Sequence, residues 1–212
     1  KGGSAPMTRF ILGFFVMIGC LMFLGCPFRL ILRLAGGDWN AILGFVGFAV
    51  GIGAGTFFLK RGYSLKRTYS LPKFDTAVMP VLMVGLLILV VAAPAFIFFS
   101  EKGPGAVHAF WAVSLIAGIV VGGLAQYTRL CMVGGIRDII LFHETKLLMG
   151  FVAVFVAAFL VNLAFGNFHP GFANQPIAHT DGLWNFLGMA LAGFCSILLG
   201  GCPMRQLIMT GE

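Results

Sequence analysis

Two short stretches carry the residues most suited to chemistry: Leu24-Gly25-Cys26-Pro27-Phe28-Arg29 and its near copy Gly200-Gly201-Cys202-Pro203-Met204-Arg205. Each lies inside a long apolar run, where Gly and Pro break helices and a buried Arg is costly. Pro favours the first turn of a helix, where its missing N–H is no loss. Cys26 and Cys202 are then expected at or near an N-cap, facing free N–H groups and the positive end of the helix dipole. That is a natural anion site. Arg29 and Arg205 fall in the same first turns and add a planar donor fork. The thiol has two options. As a thiolate, favoured by the helix end and the Arg, it suits redox chemistry. As a neutral S–H it is a small soft donor that does not repel an anion, which suits transport. Gly25 and Gly201 belong to the same constellation.

A third Cys stands in similar company. The run Arg129-Leu130-Cys131-Met132-Val133-Gly134-Gly135-Ile136-Arg137-Asp138 interrupts another apolar stretch. Arg137 is its candidate cation; Asp138 is adjacent, and neighbouring helical residues diverge, so no pairing is expected. Arg129 is expected to be structural. Cys20 and Cys195 lie mid-helix and read as small apolar filler. The five Cys show no CxxC or Cys/His zinc spacing. No catalytic or nucleotide-binding motif has its context, and no cofactor or metal is implied. His108, His143, His169 and His179 are expected to be solvated at loops and helix ends.

The elements that must position these residues belong to a bilayer. Of 212 residues, 59% are hydrophobic and only 10% charged, far below the quarter or so typical of soluble domains. The fold class is all-α and membrane-integral, with spanning helices and short re-entrant or broken ones. Strand-like alternation is absent, which excludes an outer-membrane barrel. Much of the net charge of +7 sits at Lys60, Arg61, Lys66, Arg67 and Lys73. By the positive-inside tendency this makes 60–75 cytoplasmic, and nucleic acid is not an expected partner.

In chain order, Phe10–Leu24 is a helix too short to span comfortably, which takes about 20 residues. A second short helix follows over 27–35 and ends at Gly36-Gly37. Asp38 is the expected N-cap of Trp39–Leu59, on which Gly44, Gly47, Gly51 and Gly55 form a close-packing stripe. Thr76–Phe99 is long enough to span, with Pro80 near its start and a Pro94 kink, and is followed by a turn at 101–105. Phe110–Ala125, a short helix over 136–142, and Leu147–Phe165 come next. The loop 166–182 has no Lys or Arg. Asp181 is the expected cap of Leu183–Leu199.

Short helix, Cys-containing break and short helix with Arg recur in units of about 10–59, 109–165 and 183–212. The unequal spacing excludes a solenoid and fits duplicated, inverted units within a single transmembrane domain. Two topologies remain open. If 109–142 re-enters, 166–182 is cytoplasmic despite its lack of basic residues; if it crosses, the charge pattern is satisfied. Re-entry is the expectation favoured here. The missing initiating Met and the stop at Glu212 just after a motif suggest a piece of a longer protein.

The Gly-Cys-Pro-x-Arg copies at 25–29 and 201–205, with Arg129 to Asp138, resemble the YeeE/YedE family of sulfur-compound transporters, nearest its YedE-type selenium transporter subgroup. The resemblance covers nearly the whole chain. It implies an hourglass-shaped inner-membrane protein whose short helices meet at mid-membrane. It also implies that Cys26, Cys131 and Cys202 line the path of a thiosulfate-like sulfur or selenium anion, passed along by S–H hydrogen bonds. A cytoplasmic sulfur- or selenium-accepting protein is a possible partner. The family's full chain has a further N-terminal Cys unit that this sequence lacks. A membrane thiol–disulfide redox enzyme and a structural subunit are the competing expectations. The absence of CxxC spacing counts against the enzyme.

Overall fold

The computed structural model describes residues 2–3, 5–65, 69–70, 73–92 and 109–210. The expected Pro94 kink and the turn at 101–105 lie outside them. The elements are β1 (Gly2–Gly3), α1 (Pro6–Phe23), α2 (Pro27–Ala35), α3 (Asn40–Lys60), β2 (Tyr69–Ser70), α4 (Lys73–Ala92), α5 (Trp111–Tyr127), α6 (Met132–Phe142), α7 (Lys146–Ala164), α8 (Gly182–Leu199) and α9 (Pro203–Thr210). Among the described residues the protein is all-helical apart from the two-residue ladder in which Gly2 faces Ser70 and Gly3 faces Tyr69, and an isolated bridge between Asp38 and Gly171. Among the described residues, five stretches are long and apolar enough to cross a membrane: Pro6–Ala35, Asn40–Lys60, Trp111–Phe142, Lys146–Ala164 and Gly182–Met209.

The chain divides into two compact units, one of residues 1–3, 68–129 and 207–212, the other of 4–67 and 130–206. The expected repeat unit 109–165 is therefore split between them. In the first unit, α4 carries Pro80 inside it, and α5 exposes Val113, Ile116, Ile119, Val120 and Leu124. A helix this apolar on its exposed faces is suited to lipid.

The second unit is built on α8. Gly47 and Gly51 of α3 lie against the backbone carbonyls of Phe186 and Ala190, and Gly193 of α8 lies against Phe48. The paired numbers rise together, so α3 and α8 run parallel. A Cβ on Gly188 would meet Met22 Cβ at 2.8 Å, and Gly19 lies against Gly188 and Ala192. Here the numbers run in opposite senses, so α1 is antiparallel to α8. Small residues let these backbones approach closely, as the stripe on α3 leads one to expect. Gly182 packs on Leu43, Asn40 Nδ2 donates to the Phe172 carbonyl at 2.7 Å and Trp39 N–H to the Gly171 carbonyl. The loop 166–182 is thus at the end of α3 opposite Lys60 and Arg61. The expectation that 166–182 shares a side with the basic segment is corrected for its first residues: the loop and Lys60 and Arg61 lie at opposite ends of α3, as the charge rule favours.

The two Gly-Cys breaks are built alike. Leu24 (φ 58) and Gly200 (φ 96) end α1 and α8 in the left-handed conformation. Gly25 N–H returns to the Cys20 carbonyl at 2.9 Å and Gly201 N–H to the Ser196 carbonyl at 3.0 Å, the Schellman pattern. Leu24 holds this conformation with a Cβ, at a cost of about 1 kcal/mol. It is 40% exposed, so truncation gives up only part of a leucine's burial against the relief of the left-handed strain. Leu24→Gly is expected to raise unfolding stability by up to about 1 kcal/mol, read as a higher Tm in detergent; an unchanged or lower Tm contradicts this.

Several boundaries move. α1 begins at Pro6 rather than Phe10, using Pro at its first position. α3 begins at Asn40 after Trp39, and Asp38 makes the expected capping contact: its Oδ1 accepts from the Asn40 N–H at 2.9 Å while its Oδ2 takes Arg33. α6 begins at Met132 rather than 136. Gly134 and Gly135 continue that helix because they are buried against Leu147 and Leu148 of α7.

Candidate functional site

All three singled-out cysteines precede the first residue of a short helix. Cys26 is the N-cap of α2, extended at φ −81° and ψ 169°, with Pro27 following. Cys131 is the N-cap of α6, extended at φ −152° and ψ 112°. Cys202 stands before Pro203, the first residue of α9. The local cause is the same each time. A left-handed residue, Leu24, Arg129 or Gly200, precedes the restart, and Cys26 and Cys131 are extended where their helices begin.

The structure brings two of the three together. Cys131 and Cys202 are buried and their side chains are hydrogen-bonded to each other. The bonding is crosswise. Cys131 Sγ accepts from the N–H of Gly134, three residues on, at 3.4 Å, and from the N–H of Cys202. Cys202 Sγ lies beside the backbone of Arg205, also three residues on, and of Met132. The N-termini of α6 and α9 therefore converge on two neighbouring sulfur atoms. Two positive helix ends at close range favour negative charge between them.

Cys26 is not brought to this pair. Break 24–26 follows α1 and break 200–202 follows α8, and these helices are antiparallel. With Phe23 beside Gly188, the breaks are separated along the helix axis by roughly 20 Å at ~1.5 Å per residue. Cys26 lies at the end bearing α2, while Cys131 and Cys202 lie toward the Lys60 end. Cys20 and Cys195 are buried in the core, as expected of apolar filler. All five cysteines are free, and no cluster of three metal-ligating side chains occurs among the described residues.

The arginines divide. Arg137 pairs with its neighbour after all: Nε to Asp138 Oδ1 is 2.9 Å and Nη2 to the same oxygen 2.7 Å. Adjacent Cβ atoms diverge, but the long Arg stem curls back. The pair is partly exposed and adds little stability, yet it occupies Arg137. Arg205 lies with its backbone beside Cys202 Sγ. Arg29 folds back over the break: a Cβ on Gly25 would meet its Cδ at 2.8 Å, and one on Gly201 would meet Arg205 Cγ at 3.3 Å. Both glycines thus leave room for the Arg four residues on.

Residues not singled out from the sequence form a second polar centre. Arg33 is 8% exposed; its Nε donates to Asp38 Oδ2 at 2.7 Å and its Nη1 to the Phe23 carbonyl at 2.7 Å. Asp38 Oδ1 accepts from the backbone N–H and Nδ2 of Asn40 at 2.9 and 3.0 Å. The spacing Arg29, Arg33, Asp38 was the available signal: two cations one helical turn apart on a short helix, with an acid just past its end. His179 is not solvated as expected. Its Nε2 lies 2.6 Å from the Met22 carbonyl, satisfying the last turn of α1. His108 lies outside the described residues.

Compared with protein-family models, curated proteins and solved structures, the chain gives no match.

Proposed function

We propose that the protein carries a small, soft, sulfur- or selenium-containing anion of the thiosulfate type across a bilayer, using the Cys131–Cys202 pair as a relay. The observation that carries this reading is the crosswise thiol pair at two converging helix N-termini. Neutral thiols donate weakly to an anion, and the N–H groups now held by sulfur can turn to it. A site of this kind binds well enough to admit an ion and weakly enough to release it. The antiparallel α1 and α8, each ended by the same break, support an inverted repeat. The Gly-Cys-Pro-x-Arg motifs and their resemblance to the YeeE/YedE family support the substrate class and an inner-membrane location. With the basic segment cytoplasmic, Cys202 lies toward the receiving side, where a sulfur- or selenium-accepting protein would take the cargo. Cys26 then serves the opposite half of the path.

The same contact favours a second reading, since two adjacent thiols can cycle through a disulfide. Their burial opposes it: exchange needs an in-line approach by an outside thiol. Labelled uptake in cells lacking their own importers separates the two. Cys131→Ala and Cys202→Ala are each expected to lower thiosulfate uptake at least ~10-fold, the equivalent of ~1.4 kcal/mol. Cys20→Ala and Cys195→Ala are expected to stay within roughly twofold, as conservative core changes distant from the relay. Uptake untouched by either relay variant, with a mixed disulfide trapped on Cys131 or Cys202, supports the redox enzyme instead.

A further inference from the structure

A cavity of about 360 Å³ lies between α2 and the segment that follows α7. One wall is a single face of α2, where Arg29, Leu32, Arg33 and Gly36 recur at three- and four-residue spacing. The other holds Asn162, Asn167, His169 and Gln175. The back is fixed by backbone: His169 N–H donates to the Gly36 carbonyl at 3.0 Å and Gly171 N–H to the Gly37 carbonyl at 3.1 Å. Gln175 Nε2 ties the loop to itself through the carbonyls of His169 and Gly171 at 2.7 and 3.1 Å. The walls are therefore set before any ligand arrives.

Charge in this cavity is unbalanced in one direction. Arg33 is neutralised by Asp38 at 2.7 Å, and Asp38 is the one carboxylate in the lining. Arg29 is left over. Its Nε is buried and has no hydrogen-bond partner among the described residues. A buried guanidinium N–H without an acceptor is costly, so the site calls for an acceptor to complete it. The side-chain amides of Asn162 and Asn167 line the same cavity and can serve as neutral donors.

We infer that this cavity is a binding site for a small oxyanion, anchored by Arg29 and completed by Asn162, Asn167 and His169. A planar fork suits two oxygens of one tetrahedral ion and not a halide. The volume exceeds a bare tetrahedral ion several-fold, since one water occupies about 30 Å³; the ligand is held with part of its hydration shell, weakly and exchangeably. The cavity lies at the end of α3 opposite Lys60 and Arg61. On the topology proposed above it opens on the supply side of the membrane, where a transported anion would first be caught. The binding itself does not require that topology, but its role as a capture site rests on the transport reading.

Calorimetric titration of the purified protein in detergent at low ionic strength tests this, with thiosulfate, sulfate, phosphate and chloride as probes. Thiosulfate and sulfate are expected to bind and chloride not. Arg29→Gln is expected to weaken binding at least about tenfold, Arg29→Lys less, and Cys195→Ala not at all. Should Arg29→Gln misfold, phenylglyoxal labelling of Arg29 in the unaltered protein is expected to slow at least about threefold when sulfate is present. Equal binding by Arg29→Gln and the parent protein, binding of chloride as tight as sulfate, or labelling unmoved by sulfate overturns the site. Oxyanion binding lost with Arg29 in a protein that takes up nothing sustains the site and removes the transporter. Uptake in a protein that binds no oxyanion here does the reverse.

Discussion

Replacing Asp38 by leucine is expected to cost the folded protein about 3–5 kcal/mol, because it leaves the buried Arg33 charge without its partner. Asp38 and Arg33 side chains are 4% and 6% exposed, so water cannot take over the lost contacts. The loss spreads further than one pair. Asp38 also orders the backbone and side chain of Asn40 at the start of α3, and Asn40 in turn holds the Phe172 carbonyl. Arg33 donates to the Phe23 carbonyl in the last turn of α1 and lies 4.1 Å from the centroid of the Phe23 ring. One ion pair thus joins the end of α1, the end of α2, the start of α3 and the loop after α7. Chemical unfolding in mixed detergent micelles reads the effect. The double replacement Arg33→Leu with Asp38→Leu is expected to cost less than the two single changes together, by roughly 1–3 kcal/mol. The remainder persists because Asn40 and the Phe23 carbonyl still lose partners. Strict additivity contradicts the network.

The second large effect is steric. Gly51→Leu is expected to destabilise the α3–α8 pair by about 3 kcal/mol or more, at the upper end of overpacking costs. Its side chain would enter the backbone of Ala190, with the Phe194 N–H 2.9 Å from the new Cβ. Neither atom belongs to a flexible side chain, so relief requires the two helices to part. Gly53 is the internal control. It lies on the same helix with nothing within 4 Å of a built Cβ, and Gly53→Ala is expected to gain a few tenths of a kcal/mol or more from helix propensity. Heat-induced aggregation of the two variants, compared with the parent, checks both signs. Equal behaviour of Gly51→Leu and Gly53→Ala contradicts the packing.

How much of this was legible in the sequence depended on whether the cause was local. The Gly-Cys breaks, the Pro starts of α2 and α9 and the Asp181 cap follow from residues a few positions apart, and the structure has them: Asp181 Oδ1 accepts from Trp184 N–H at 3.4 Å. The glycine stripe on α3 was legible as close packing, but not its partner, since nothing in residues 44–55 names α8. The start of α6 was missed because Gly134-Gly135 reads as a break until Leu147 and Leu148 cover it. Asp38 does the common local job of an acid before a helix, accepting from the Asn40 N–H; what the local sequence does not announce is that its other oxygen is held by Arg33. The meeting of Cys131 with Cys202 is the least legible feature, for the two are far apart in sequence and only the folding of α6 beside the end of α8 joins them. Arg29 was picked out for its place beside Cys26, yet the cavity it lines is made by a loop whose residues carry no motif.

The most direct test of the relay is flux through the protein in proteoliposomes before and after Cys131 and Cys202 are oxidised to a disulfide, with the cross-link verified by peptide mass spectrometry. The account predicts that influx of labelled thiosulfate falls to the level of empty vesicles when the two sulfurs are joined, and returns when a reductant separates them. Undiminished influx through fully cross-linked protein would contradict it.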